Sequence, residues 1–336
     1  MSGERALPKA ELHCHIEGAA APDLVRKIAA RNGIALPATL FTADGRYAWN
    51  DFPSFLAAYD QASACLLRPA DYRDILYRYL GDCASEGAIY VEVFSSPDHA
   101  ALVGMTYAEH LAGLIEAIDA AKSAFGIVGR IIVTCIRHLG PENALQVARA
   151  MIAEPHPYVT GFGMAGDELR YRVADFVPAF RLAAGAGYGC TVHAGEVAGP
   201  ASVRDAIALL PVSRIGHGVR ASEDPRLLEE LARRGIVLEV CPGSNLALGL
   251  YPDAAAHPLR RLLAAGCRVT LNSDDPAYFG TTIGKEYAAA GAGFGLDERS
   301  LRRITETAID AAFVDSETRR SLRQRVAGPL AYQPTT

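Results

Sequence analysis

Short apolar runs rich in β-branched residues recur along this chain, and they alternate with longer segments whose apolar positions fall three and four residues apart. The short runs lie at 11–16, 88–94, 130–136, 159–164, 189–193, 214–217, 236–241 and 268–273, and each reads as a strand. Between them, 107–125, 141–153, 175–186, 225–234 and 258–265 carry the helical spacing. Strands that alternate with helices pair in parallel through right-handed crossovers, and eight of them favour closure of the sheet on itself. The expected fold class is therefore α/β, a (β/α)8 TIM barrel.

Two stretches exceed that plan. Residues 39–86 hold two or three extra helices, including 52–67 and 70–86, too much sequence for one crossover. An insertion after the first strand, at the C-terminal face of a barrel, forms a lid or side wall. It carries Tyr47, Trp49, Phe52, Phe55 and Tyr59, which suit either an apolar cover for a flat ligand or simple core. After the last strand, 282–292, 296–311 and 316–327 read as helices packed outside the barrel. With no internal repeat or linker, a single domain over 1–336 is expected.

Composition narrows the partners. The 336 residues are 50% hydrophobic, enough for a large core, and the formal charge is −5 with basic residues dispersed. That excludes a nucleic-acid backbone or an anionic membrane as the expected partner and leaves a small molecule; the oligomeric state is left open. Seven cysteines without a C-x-x-C pair read as buried thiols in a reducing compartment. A short polar N-terminus and the absence of any long apolar run give cytoplasmic as the expected location.

In a barrel, chemistry sits where strands end at their C-terminal side. His13 and His15 follow the first strand, two apart and so on one face; His193-Ala194-Gly195-Glu196 follows the fifth, His217 the sixth, and Asn272-Ser273-Asp274-Asp275-Pro276 the eighth. Taken singly, D-D-P is a turn or helix cap and His217 a core histidine. Together they form a nitrogen and oxygen set suited to Zn²⁺, gathered on one barrel face. Arg137-His138 after the third strand can line the pocket or form an ion pair. His99, His110, His156 and His257 fall outside the motifs and carry no assignment.

The segments E-L-H-C-H-I-E-G, A-G-D-E (165–168), H-A-G-E, I-G-H-G, C-P-G-S-N (241–245) and N-S-D-D-P resemble, in order and over about residues 7–320, the motifs of the adenosine deaminase family of metal-dependent hydrolases. The resemblance implies one Zn²⁺ per chain held by His13, His15, His193 and Asp274, with a water activated for attack at C6 of a purine. It implies that Glu196 protonates ring N1, which requires a carboxyl kept neutral by burial, and that His217 orients the water. Asp275 then meets N7 and the backbone N–H of Gly166 meets N3, with His15 and Glu17 also bordering the substrate. Asp275 as an orienter of a metal-binding histidine and Gly166 as an ordinary turn glycine stay open.

The same resemblance leaves the substrate divided. A-G-D-E is similar to the nucleoside-deaminating members, whereas Glu17 stands where those members usually carry the aspartate that reaches the sugar 5′-hydroxyl. Adenosine or 2′-deoxyadenosine is the leading expectation; adenine or a modified adenine nucleoside is the alternative. A catalytically silent purine-binding protein on the same barrel is the reading from another class.

Overall fold

The computed structural model describes residues 7–327; the ends of the expected 1–336 domain, 1–6 and 328–336, lie outside the described residues. Eight strands, β1 (Lys9–Glu11), β2 (Ala88–Ser95), β3 (Val128–Ile136), β4 (Val159–Ala165), β5 (Gly189–Ala194), β6 (Arg214–His217), β7 (Val237–Val240) and β8 (Arg268–Leu271), stand side by side in chain order. Every ladder between neighbours is parallel. Nearly all of β2 to β8 is buried, as expected for strands covered by helices outside and packed side chains inside. The fold is the expected (β/α)8 barrel.

β1 ends at Glu11, where the expected strand 11–16 begins, and β8 stops two residues short of the expected 273, for one shared reason. Past Glu11, the N–H of Leu12 turns to the Asn272 side chain at 2.9 Å, so a regular β8–β1 ladder never forms. The seam instead closes farther along, where Asp274 donates to the His13 carbonyl at 3.1 Å and His15 donates to the Asp274 carbonyl at 2.9 Å. Buried Glu11 adds a stitch by accepting the N–H and the hydroxyl of Ser273, both at 2.6 Å.

Helices α1 (Pro22–Asn32), α2 (Phe52–Ser63) and α3 (Pro69–Ser85) separate β1 from β2. Asp51 caps α2 by accepting the Ser54 N–H at 2.8 Å, while Phe55, Ala58, Tyr59 and Ala62, spaced three and four apart, bury one face. α3 belongs to the outer ring, where Pro69 lies against Gly113 of the neighbouring helix Tyr107–Phe125. Of the expected insertion, then, only α2 and the segment before it overhang the barrel mouth. The helices Tyr107–Phe125, Pro141–Ala153 and Pro225–Arg234 match their expected bounds, with Thr106 or Asp224 at the start and Gly126 or Gly235 at the end of two of them. All seven cysteines are free and buried, and among the described residues no helix is long and apolar enough to cross a membrane.

Candidate active site

The ends of β1, β5, β6 and β8 converge on one cluster. Nε2 of His13 and Nε2 of His15 each lie 3.4 Å from Asp274 Oδ1, and Nε2 of His15 lies 3.2 Å from Nε2 of His193. The orientation of two rings is fixed from behind. His13 Nδ1 sits 2.9 Å from Glu239 Oε2, and His193 Nδ1 sits 2.9 Å from the Met164 carbonyl, so each ring turns its Nε2 inward. Gly216 permits this packing, since a Cβ there would lie 2.9 Å from His13 Cε1 and 3.2 Å from His193 Nδ1.

The donor set fits a metal ion. His13 Nε2 is buried with no hydrogen-bond partner, and one ligand atom from each of His13, His15, His193 and Asp274 lies within 4.8 Å of the others. Burial opposes charge on His13, but Asp274 and Glu239 outweigh it and raise its pKa to about 9. The cluster thus favours a positive charge at its centre, and three nitrogens with one carboxylate suit zinc. A second grouping of His13, His217, Cys241 and Asp274 is comparably close. It fits less well, because burial pushes the Cys241 thiol well up and its Sγ faces the Glu239 carbonyl at 3.5 Å.

Beside the cluster, Glu196 Oε2 lies 3.6 Å from His217 Nε2, which is 4.0 Å from Asp274 Oδ2. Burial, then the charges of Asp274 and Glu168, push the Glu196 carboxyl well above its usual range. His217 and Asp274 also adopt positive φ, 58° and 62°, unusual for residues with a Cβ. Such conformations persist only where surroundings impose them, and here both place a side chain in the cluster.

These residues border a cavity lined by both apolar and polar side chains, as small-molecule sites are. Gly166, His138, Ile136 and Thr134 line it from the β3 and β4 side, and Glu17, Ser96 and His99 lie along another wall. Phe52, Phe55 and Tyr59 of α2 line it together with Phe279, whereas Tyr47 and Trp49 do not. Tyr47 stacks on Tyr278 at 3.9 Å, and Trp49 donates to the Tyr278 carbonyl at 3.2 Å, so these two support the wall from behind. Arg137 is buried and donates to the Glu168 carbonyl at 3.1 Å; it braces the site while His138 borders the cavity.

Asp275 Oδ1 has no partner in the protein, and burial with the charges of Asp274, Glu196 and Glu17 pushes its carboxyl well up. Its packing demands Gly18, where a Cβ would fall 1.8 Å from that same Oδ1. Glu17 is engaged differently. Tyr59 donates to its Oε2 at 3.2 Å, and His99 Nδ1 lies 3.7 Å from its Oε1. Burial opposes the Glu17 charge, yet His99 holds its carboxyl below the usual range.

Two carboxylates that shape this site receive no role from the sequence, although Glu168 closes the A-G-D-E segment. Glu168 accepts the N–H groups of Glu196, Val197 and Ala198 at 3.1, 2.8 and 2.9 Å, also that of Gly195, and the Ser202 hydroxyl at 2.6 Å. Glu239, behind His13, also accepts from Thr191 at 2.9 Å and pairs with Arg214 at 2.6 Å. A signal existed for Glu239: a glutamate inside the apolar run V-L-E-V is costly unless paired. Glu168 gives no such sign, because its partners are four main-chain N–H groups and one serine hydroxyl. His99 also borders the cavity from outside every motif.

The profile of the adenosine deaminase family matches residues 8–329. An adenine deaminase of Chelativorans sp. is 51% identical over 320 residues, covering 95% of this chain and 98% of that protein. Another, from Agrobacterium fabrum, is 48% identical over the same length and shares. Among solved structures, an adenine deaminase from Arthrobacter aurescens superposes with a TM-score of 0.88 at 30% identity, covering 96% of this chain and 98% of that one. An amidohydrolase from Burkholderia ambifaria, described with bound zinc, gives a TM-score of 0.87 at 30% identity, covering 96% and 90%. This chain belongs to the adenosine deaminase family and is a metal-dependent hydrolytic deaminase.

Proposed function

We propose that this enzyme deaminates adenine, with water, to hypoxanthine and ammonia. The observation that carries this reading is the engagement of Glu17 by Tyr59 and His99. Where nucleoside-deaminating members of the family present an aspartate to the sugar, this chain presents a longer carboxylate, one oxygen of which, Oε2, is held by Tyr59 of the wall while Oε1 lies 3.7 Å from His99 Nδ1. Relatives named as adenine deaminases, about half identical over nearly the whole length, support the same choice. Adenine thus replaces adenosine, the leading expectation from sequence. The A-G-D-E resemblance that favoured adenosine has another physical explanation, since Glu168 holds the loop at 195–198.

In this reading His13, His15, His193 and Asp274 hold one Zn²⁺, which when bound supplies Lewis acidity and brings the pKa of water toward neutrality. Glu196, neutral because it is buried, donates its proton to ring N1 and so makes C6 electrophilic. His217 Nε2 steadies the oxygen that attacks C6, beside Asp274 and Glu196. Asp275, kept protonated, donates to N7, and the Gly166 N–H meets N3. The phenyl rings of Phe52 and Phe55 exclude water from the purine face. The substrate is a small purine, and no part of this chemistry calls on nucleic acid or membrane.

Ammonia release measured side by side with adenine, adenosine and 2′-deoxyadenosine tests the proposal. Adenine is expected to lead in kcat/KM by at least about 100-fold, some 2.7 kcal/mol of discrimination. Equal or greater kcat/KM on adenosine would return the nucleoside reading. No release from any aminopurine by metal-replete protein would favour a silent purine binder.

A further inference from the structure

We propose that Asn245 and His257 are positioning residues that fix which nitrogen of His217 carries its proton, placing that proton on Nε2, toward the reacting centre. The proposal rests on the deaminase reading only for its effect on rate. The hydrogen-bond pattern itself comes from three buried side chains in line and one backbone N–H.

The line begins at a helix start. Leu259 opens the helix Leu259–Ala264, and its N–H, which no helical carbonyl can accept, donates to His257 Nδ1 at 3.2 Å. An Nδ1 that accepts a hydrogen bond carries no proton, so the His257 proton sits on Nε2. Burial also lowers the pKa of His257 to about 4, which keeps the ring neutral. His257 Nε2 lies 3.1 Å from Asn245 Oδ1 and donates to it. The amide of Asn245 therefore has one permitted orientation, with Nδ2 turned to His217 Nδ1 at 3.4 Å. Because Nδ2 can only donate, His217 Nδ1 must accept, and its proton is left on Nε2.

The reverse arrangement fails at its first link. Turning the Asn245 amide over sets Nδ2 against His257 Nε2–H, and moving that proton to Nδ1 sets it against the Leu259 N–H. Either way two donors face each other in the protein interior, where an unmade hydrogen bond costs about 1–3 kcal/mol. The consequence reaches the site through His217 Nε2, 3.6 Å from Glu196 Oε2 and 4.0 Å from Asp274 Oδ2. As a donor it can hold developing negative charge on an oxygen placed there; as a bare lone pair it would repel it. Asn245 closes the C-P-G-S-N segment, whereas His257 lies outside every motif.

Histidine-¹⁵N NMR of the zinc-loaded enzyme, with kcat and KM on adenine and metal content, tests the proposal. Wild type is expected to show neutral His217 protonated on Nε2. Asn245→Asp replaces the donor by a carboxylate that only accepts, so the proton is expected to move to Nδ1. kcat should then fall about 100-fold or more, as a misplaced tautomer does in other enzymes, with KM and zinc content nearly unchanged. His257→Phe frees the amide and is expected to lower kcat about 10-fold, and His257→Gln, which can again donate to Asn245, to recover most of it. If Asn245→Asp does not fold, the two His257 variants carry the same readouts. A proton on Nδ1 in wild-type His217, or full kcat in Asn245→Asp, overturns the proposal. Should no aminopurine be deaminated, the deaminase reading falls, and the wild-type spectrum alone still decides the tautomer.

Discussion

Glu168 accepts the backbone N–H of Glu196 at 3.1 Å, so the carboxyl that faces His217 is carried by a main chain anchored to a second carboxylate. The anchor comes from the end of β4 and the anchored loop from the end of β5. Several parallel N–H donors pointing at one carboxylate leave that loop little freedom.

Replacing Glu168 by Gln turns one acceptor into a donor that faces backbone N–H groups. Stability should fall by about 2–3 kcal/mol, since buried donors lose their partner. kcat on adenine should fall about 100-fold through displacement of Glu196, although Glu168 touches no substrate. Thermal melting and steady-state kinetics on the same preparation check both; unchanged kcat would free the loop from this role.

Glu196→Gln should keep one zinc per chain and lose at least about 100-fold in kcat, because the amide preserves shape but gives up no proton. The pH dependence has a definite sign. Burial raises the Glu196 pKa, and the protonated form is the active donor. The rate therefore holds at lower pH and declines as pH rises through the raised value. A kcat profile in wild type that rises across that interval would remove Glu196 from the acid role.

His193→Ala should lose metal and activity together, since its Nε2 is one of four inward donors. Chelation of wild type should lower the melting temperature, and zinc should restore it, because an ion bound only to the folded chain adds about 2.7 kcal/mol at 100 times its Kd. Elemental analysis with melting curves checks this, and a stoichiometric metal in the variant would refute the assignment.

Shortening Glu17 to Asp withdraws the carboxylate from Tyr59 and opens the wall it shares with His99. The ratio of kcat/KM on adenosine to that on adenine should rise about 10-fold or more, worth about 1.4 kcal/mol. Adenine KM should change far less. Equal effects on both substrates would detach Glu17 from the choice between base and nucleoside.

What the sequence discloses here depends on where a residue finds its partner. Strands and helices announce themselves through period, and several helices begin and end at the residues that cap them, such as Asp224 and Gly235. The histidines and aspartates of the cluster stand out because those side chains recur at strand ends, and the cavity brings His15, His193, Glu196, His217, Asp274 and Asp275 together. The roles of Glu168, Asn245 and His257 are hidden because what they hold is a backbone N–H or one end of an amide, set by the path of distant loops. The strand expected at 11–16 instead ends at Glu11 because an asparagine side chain, not a strand, meets Leu12. A-G-D-E reads as a substrate signature, while its glutamate serves the neighbouring loop.

The seam between β8 and β1 also sets the timing of assembly. Leu12 and Asn272 meet across 260 residues, and His13 and Asp274 lie at the same junction. On the ribosome, His13 and His15 emerge long before Asp274, the carboxylate that meets them across this seam. Before β8 arrives, a partly made polypeptide lacks Asp274 and holds at most the three histidines of the cluster. The complete four-residue set therefore exists only once the last strand closes the barrel.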